Sequence, residues 1–383
     1  MEAAFLRCSP FEVATGWTYG LLAPTPLPAS GLSPREALED CLRPALLAPP
    51  CYVTFSGGRD SSAVLAVAAS LARREGHALP IPVTRVYPDL PDTDESSWQR
   101  AVIDHLRLDD WLRLEFRQGE TDLLGAAARD GLLSRGLLWP PALQAHGAMF
   151  SRLGEGSLLT GEGGDAVLGM RRVAPAVLFK RGRASRRALL PHAVNAFLPR
   201  PVRRGLAARL ARGSVQRRWL RPRALAEHAR RAAADATAEP LRADEATWHI
   251  TRYRSFATIR HNHSAAAAQY GLSARDPLLD PGFIAAVAHA GGTSGFESRT
   301  AAMHALFSDL LPAAVLSRVG KASFNHAHSG SATREFAGSW DGSGVDSDLV
   351  DPELVRAVWL SDSPTMAAGL LLQSAWLAAE GRH

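Results

Sequence analysis

The chain has 383 residues, of which 46% are hydrophobic and 21% charged, with a formal net charge of +5. This is ordinary globular composition, enough for one large domain or two modest ones. Three cysteines without a CxxC pair, Cys8, Cys41 and Cys51, exclude a disulfide framework or a cysteine-built metal site and point to a reducing cytoplasm.

Residue 2 is Glu and no basic start leads into an apolar core, so no export signal is expected. Residues 1 to 45 read as an N-terminal extension, rich in Pro and Gly up to Leu32. Within it Ser33-Pro34-Arg35-Glu36 marks a helix start, with Ser33 as the cap. An α/β core is expected over 46 to 170. Cys51 to Phe55 is a β-prone run, Ser61 to Glu75 has helical period ending at Gly76, and Ile81 to Tyr87 reads as a second strand. A helix from Asp94 to His105 and a strand from Trp111 to Phe116 follow. Helices over 121 to 133 and 142 to 153 lead to a fourth strand, Ser157 to Thr160. Strands alternating with helices predict a parallel sheet covered on both faces, with ligands beyond the carboxyl ends of its strands.

After residue 170 the pattern becomes helix-rich. Residues 171 to 240 are expected to form an Arg-rich helical segment, and 241 to 383 a helical part completing the domain. Residues 171 to 226 hold 15 Arg and one Lys with no Asp or Glu; subtracting these from the net charge leaves the remainder at −11. Such a segment attracts an acidic peptide or partner, and Arg217, Arg218, Arg221 and Arg223 are its candidate contacts. Residues 325 to 349, rich in Gly, Ser, Asp and His, read as a loop. Met366 to Ala379 is interrupted by Gln373 and Ser374 and falls short of the roughly 20 residues of a membrane span, so it reads as a buried helix. The pairs His261/His263 and His326/His328 would share a face only on strands, and no third ligand accompanies them.

The motif that carries most chemistry is Phe55-Ser-Gly-Gly-Arg-Asp-Ser-Ser62, set between a strand and a helix. Gly57 and Gly58 let the backbone approach a ligand and turn N–H groups toward it, and the following helix N-terminus favours an anion. Ser56, Ser61 and Ser62 add hydroxyls. An acid at Asp60, inside an anion site, makes sense if it holds Mg²⁺. GxxxxGK[ST] is absent, so this is not the Walker loop.

The motif resembles the SGGxDS fingerprint of the ATP-pyrophosphatase superfamily, whose α/β sheet is of the adenine nucleotide alpha hydrolase-like type. Three further blocks, Leu159-Thr-Gly-Glu-Gly-Gly-Asp165, Gly271-Leu-Ser-Ala-Arg-Asp-Pro-Leu-Leu-Asp280 and Arg318-Val-Gly-Lys-Ala-Ser-Phe324 after Leu311-Pro312, are similar to the synthetase domain of asparagine synthetase, β-lactam synthetase and lasso-peptide macrolactam synthetases. The resemblance spans roughly residues 45 to 325 and implies ATP-dependent adenylation of a carboxylate followed by amide formation, with ATP and Mg²⁺ bound. By position, Ser56, Gly57, Gly58, Ser61 and Ser62 would cradle phosphates, and Asp60 and Asp165 would hold Mg²⁺. Gly161 would approach the nucleotide, and Val86 and Tyr87 would border adenine. Glu162 would sit beside the acyl-adenylate, and Lys321, with Arg318 in the same basic block, would stabilise charge on the departing groups.

Three departures from the family pattern stand out. Glu at residue 2 and the short stretch before the ATP motif leave no glutaminase, so the amine is expected from elsewhere. Ser273 stands where the family usually has Glu, which argues against plain asparagine synthesis. Ala166 replaces a Glu, and Arg299 sits near a position usually Lys. The preferred reading is a ligase for a specialised peptide or natural-product substrate, such as one forming a macrolactam. The alternatives are an ammonia-using relative, a tRNA-modifying pyrophosphatase and a non-catalytic nucleotide-binding subunit; nucleic acid and membrane are not expected partners.

Overall fold

A computed structural model describes residues 5 to 381 apart from 118, 181, 183–193, 195, 214, 319, 321–323 and 363. Lys321, and part of the Arg-rich stretch, lie outside the described residues. Five parallel strands form one sheet: β1 (Cys51–Thr54), β2 (Ile81–Val86), β3 (Leu112–Glu115), β4 (Gly156–Leu159) and β5 (Leu272–Arg275), in the order β3-β2-β1-β4-β5. The chain steps outward from β1 to β2 and β3, then crosses back to place β4 on the other side of β1. That reversal opens a crevice at the carboxyl ends of β1 and β4.

Alternation along the strands assigns the two faces. Cys51, Val53, Phe55 and Leu159 pack with α2 (Pro34–Leu46), α3 (Arg59–Glu75) and the helix Pro281–Gly291. Tyr52, Val83, Leu158, Leu272 and Ala274 pack on the other face with Phe116, Met149, Phe150 and Ala266. α3 is buried along most of its length, and its run of Ala63, Ala66, Ala68, Ala69 and Ala72 lets it lie close to the sheet. Gly76, at φ +73°, ends it. Ser33 and Glu36 form the reciprocal cap of α2, as their spacing predicts. The N-terminal extension joins this body closely: α2 enters the first core, and the carbonyl of Ala14, at the end of α1 (Pro10–Thr15), accepts from Trp219 Nε1 at 2.9 Å. A third cluster gathers Trp219, Trp340, Trp359 and Trp376 around the C-terminal helix Gly369–Ala379, buried as expected. Among the described residues no helix is long and apolar enough to cross a membrane.

Several expectations are corrected. The helix expected over 121 to 133 begins later, as α5 (Ala126–Arg135), after α4 (Ser96–Leu106). Asp122 is committed instead to loop contacts, accepting from Leu124, Gly330 and Thr333 N–H groups. The stretch 142 to 153 is a 3₁₀ turn, Pro141–His146, followed by α6 (Gly147–Phe150). The expected loop over 325 to 349 contains a helix, Ser331–Ser339, whose Thr333, Phe336 and Ala337 turn toward the tryptophan cluster. The helix expected from Asp94 starts at Ser96, after a Glu95 cap, and the Asp94 carboxylate accepts from Ser96 N at 2.8 Å. His261 and His263 lie on a helix, Arg254–Ala268, where residues two apart point to different sides.

Burial pushes the pKa values of His228, His249 and His328 down to about 4. An imidazole kept neutral in the fold charges on unfolding, so the unfolded chain binds more protons between its ordinary pKa near 6.5 and the folded value. Stability is therefore expected to decline as pH falls from 6.5 toward 4. Thermal melts across that window check it, and His328→Asn is expected to flatten part of the decline.

Candidate active site

The end of β1 turns through Ser56-Gly57-Gly58 into α3. Gly57 has φ +78°, and a Cβ there would stand 3.0 Å from Gln99 Cγ, so the turn is closed to other residues. Gly58 caps α3 without a side chain, leaving the helix N-terminus to the crevice. Ser56 Oγ accepts from Gly58 N at 3.3 Å, and Ser61 Oγ accepts from Ser56 N at 3.3 Å and donates to Gly58 O at 3.2 Å. Ser62 differs from its expected place: it is wholly buried, and its N–H already bonds Gly58 O at 3.0 Å. Its position in the first turn of α3 turns it toward the core, away from the crevice.

The end of β4 runs through Gly161-Glu162-Gly163 into α7 (Gly164–Val167). Each glycine is required by a close approach. A Cβ on Gly161 would lie 2.6 Å from Ser61 N, one on Gly163 2.2 Å from Leu279, and one on Gly164 2.4 Å from the Asp60 carboxyl carbon. The two glycine loops are thus pressed together, with Gly164, the residue before Asp165, against the Asp60 carboxyl. Asp165 is exposed and accepts from Ala166 N at 3.0 Å; Glu162 is exposed on the rim. Asp60 pairs with Arg299 at 2.5 Å. The donor set fits Mg²⁺, which takes one or two carboxylates and completes its shell with phosphate oxygens and water. Among the described residues no group of three His, Cys, Asp or Glu forms a metal cage.

Val86 and Tyr87 stand at the end of β2, beside the β1 turn. Tyr87 is buried between Phe116 and Phe324, with ring centroids 6.1 and 6.0 Å away, and its hydroxyl finds no partner among the described residues. Arg318 is held away from a free catalytic role. It donates to Gly57 O at 2.9 Å, forms a bidentate ion pair with Glu95 and lies 4.9 Å from the Trp98 ring, its side chain only 9% exposed. The guanidinium fixes the backbone of the β1 turn.

A match to the asparagine synthase family model covers residues 34–378. The chain belongs to this family. Its members are ATP-dependent ligases that form amides, and the five-stranded parallel sheet agrees with the α/β fold that the family resemblance implies. Comparison with curated proteins returns no match. Three features of this synthetase fold escaped sequence reasoning: β5, the Glu95 partner of Arg318, and a buried histidine group near Asp276. A cavity of about 630 Å³ lies elsewhere, under the N-terminal segment, and its walls include the ion pair of Glu12 with Arg254.

Proposed function

We propose that the chain activates a carboxylate with ATP, releasing pyrophosphate, and passes the acyl group from AMP to an amine on a specialised substrate, with macrolactam formation the preferred case. The observation that supports this reading is the contact of the two glycine loops, which brings Gly161 and Gly164 against Ser61 and Asp60 at the α3 N-terminus. Backbone N–H groups of the β1 turn and Ser56 and Ser61 bind and orient the phosphates, a task that positioned donors perform without reorganising. Asp60 and Asp165 would hold Mg²⁺, which neutralises charge on the pyrophosphate. Tyr87 and Val86 give adenine an apolar border, and Glu162 on the rim faces the acyl group. Lys321 supplies positive charge to the acyl-adenylate, and Arg318 acts as a positioning residue beneath the loop.

A larger, acidic substrate is supported by the helix Arg200–Arg212, which exposes Arg200, Arg209 and Arg212 and lies within a stretch free of acids. The surrounding arginines divide into two groups. Arg217 is half-buried and donates to Thr15 O, whereas Arg218, Arg221 and Arg223 are exposed, Arg221 pairing with Asp351. The test is a screen of carboxylate and amine pools, acidic peptides included, for ATP-dependent loss of water from a substrate pair. Condensation of a peptide that weakens steeply with salt and with Arg209→Glu/Arg212→Glu supports the reading. Condensation of aspartate with ammonia, indifferent to both, replaces it with the ammonia-using alternative.

A further inference from the structure

A polar group that the phosphate chemistry does not use lies just inside the rim, on the sheet face opposite α3. It draws on four elements: Thr160 after β4, Asp276 after β5, His263 from the helix Arg254–Ala268, and His146 from the turn before α6. Glu162 N donates to Thr160 Oγ1 at 3.1 Å, Thr160 Oγ1 donates to Asp276 Oδ1 at 2.5 Å, and that oxygen is 3.7 Å from His263 Nδ1. The His263 and His146 rings stand 6.0 Å apart at 85°, both against Phe150. Asp276 and His263 are buried, while His146 is half-buried with Nδ1 enclosed and without a partner among the described residues. Hydrogen bonds thus link the backbone at Glu162 to Asp276, and beyond it His263 and then His146 stand ring against ring. Ser273, near the start of β5, is exposed, whereas Asp276, just past the carboxyl end of the strand, is buried.

We propose that this cluster is the acceptor site of the ligase, in which His146 takes the proton from the attacking amine while Asp276, through His263, compensates the charge that develops. The proposal rests on the ligase reading above. In the step, the amine nitrogen bonds to the acyl carbon, the bond from that carbon to the AMP oxygen breaks with its electron pair leaving on AMP, and the surplus proton passes from nitrogen to the imidazole. The imidazoles meet the requirement of a base that is neutral beforehand. Burial holds both below the ordinary value, assisted at His146 by Arg85, Arg135, His263 and His328 and opposed at His263 by Asp276.

The test separates adenylation from amide formation in the full-length protein. Wild type, His146→Asn, His263→Gln and Asp276→Asn are supplied with ATP, Mg²⁺ and the proteinogenic amino acids and short acidic peptides as carboxylates. Each is given either hydroxylamine, which is largely unprotonated at neutral pH and whose weakly basic nitrogen gives up its surplus proton to water readily, or methylamine, whose strongly basic nitrogen needs a positioned base. In the variants methylamide formation is expected to fall about 10²-fold or more, and hydroxamate formation by a much smaller factor. Imidazole added to His146→Gly is expected to restore part of the methylamide. Unchanged methylamide formation, or hydroxamate and methylamide falling in parallel in all variants, overturns the proposal. Absence of hydroxamate from the wild type removes the ligase reading itself, and the acceptor site falls with it.

Discussion

Asp60→Asn is expected to lower pyrophosphate release by about 10²-fold or more while leaving stability within about 1 kcal/mol of wild type. The substitution keeps the side-chain shape against which Gly164 packs, so the contact of the two loops survives. What it removes is the negative charge that answers Arg299 and, in the proposed role, a metal. The ion pair with Arg299 is partly exposed, with side chains 21% and 27% accessible, so its loss alone costs little. Activity and melting temperature measured on the same preparation separate the two effects. An Asn variant that releases pyrophosphate at the wild-type rate takes Asp60 out of metal binding, and one whose melting falls in step with its activity makes it a structural residue.

The second large effect is expected at Glu95. Glu95→Gln leaves the Arg318 guanidinium buried beside a neutral partner, a loss of about 3–5 kcal/mol for a broken buried pair. Because the same guanidinium holds Gly57 O, the β1 turn loosens and KM for ATP rises. Arg318→Lys is expected to act in the same direction, since an ammonium cannot make the bidentate pair and the carbonyl contact in one plane. Chemical denaturation and ATP titration check this together. A Glu95→Gln protein as stable as wild type, with kcat alone reduced, would return Arg318 to the catalytic role that its place in the basic block suggests.

The two predictions mark where sequence reading succeeds and where it stops. β1, β2 and β4 were legible because each is a short apolar run bounded by Gly or Pro, β3 because its residues alternate, and α3 because its period and its closing Gly76 are both local signals. The glycine loops were legible for the same reason: φ +78° at Gly57 and φ +83° at Gly163 can be satisfied by few other residues. β5 was not. Its four residues, Leu272 to Arg275, show too short an alternation to stand out, and they become a strand only by pairing with β4. The helix Ser331–Ser339 hid behind Gly and Ser, although Thr333, Phe336, Ala337 and Trp340 do carry a helical spacing. Partners far apart in the chain were beyond reach altogether. Nothing local to Arg318 points to Glu95, and nothing local to His146 points to His263 and Asp276. The one available hint was an acid placed directly before Pro277 in the fourth-strand partner's motif.

The central claim is that this member of the asparagine synthase family splits ATP between its α and β phosphates to activate a carboxylate. The most direct test is to incubate the wild-type protein with ATP, Mg²⁺ and the substrate pools and to identify the nucleotide and phosphate products. AMP and pyrophosphate in equal amounts, formed only when a carboxylate is present, are the predicted result. ADP and inorganic phosphate would contradict it.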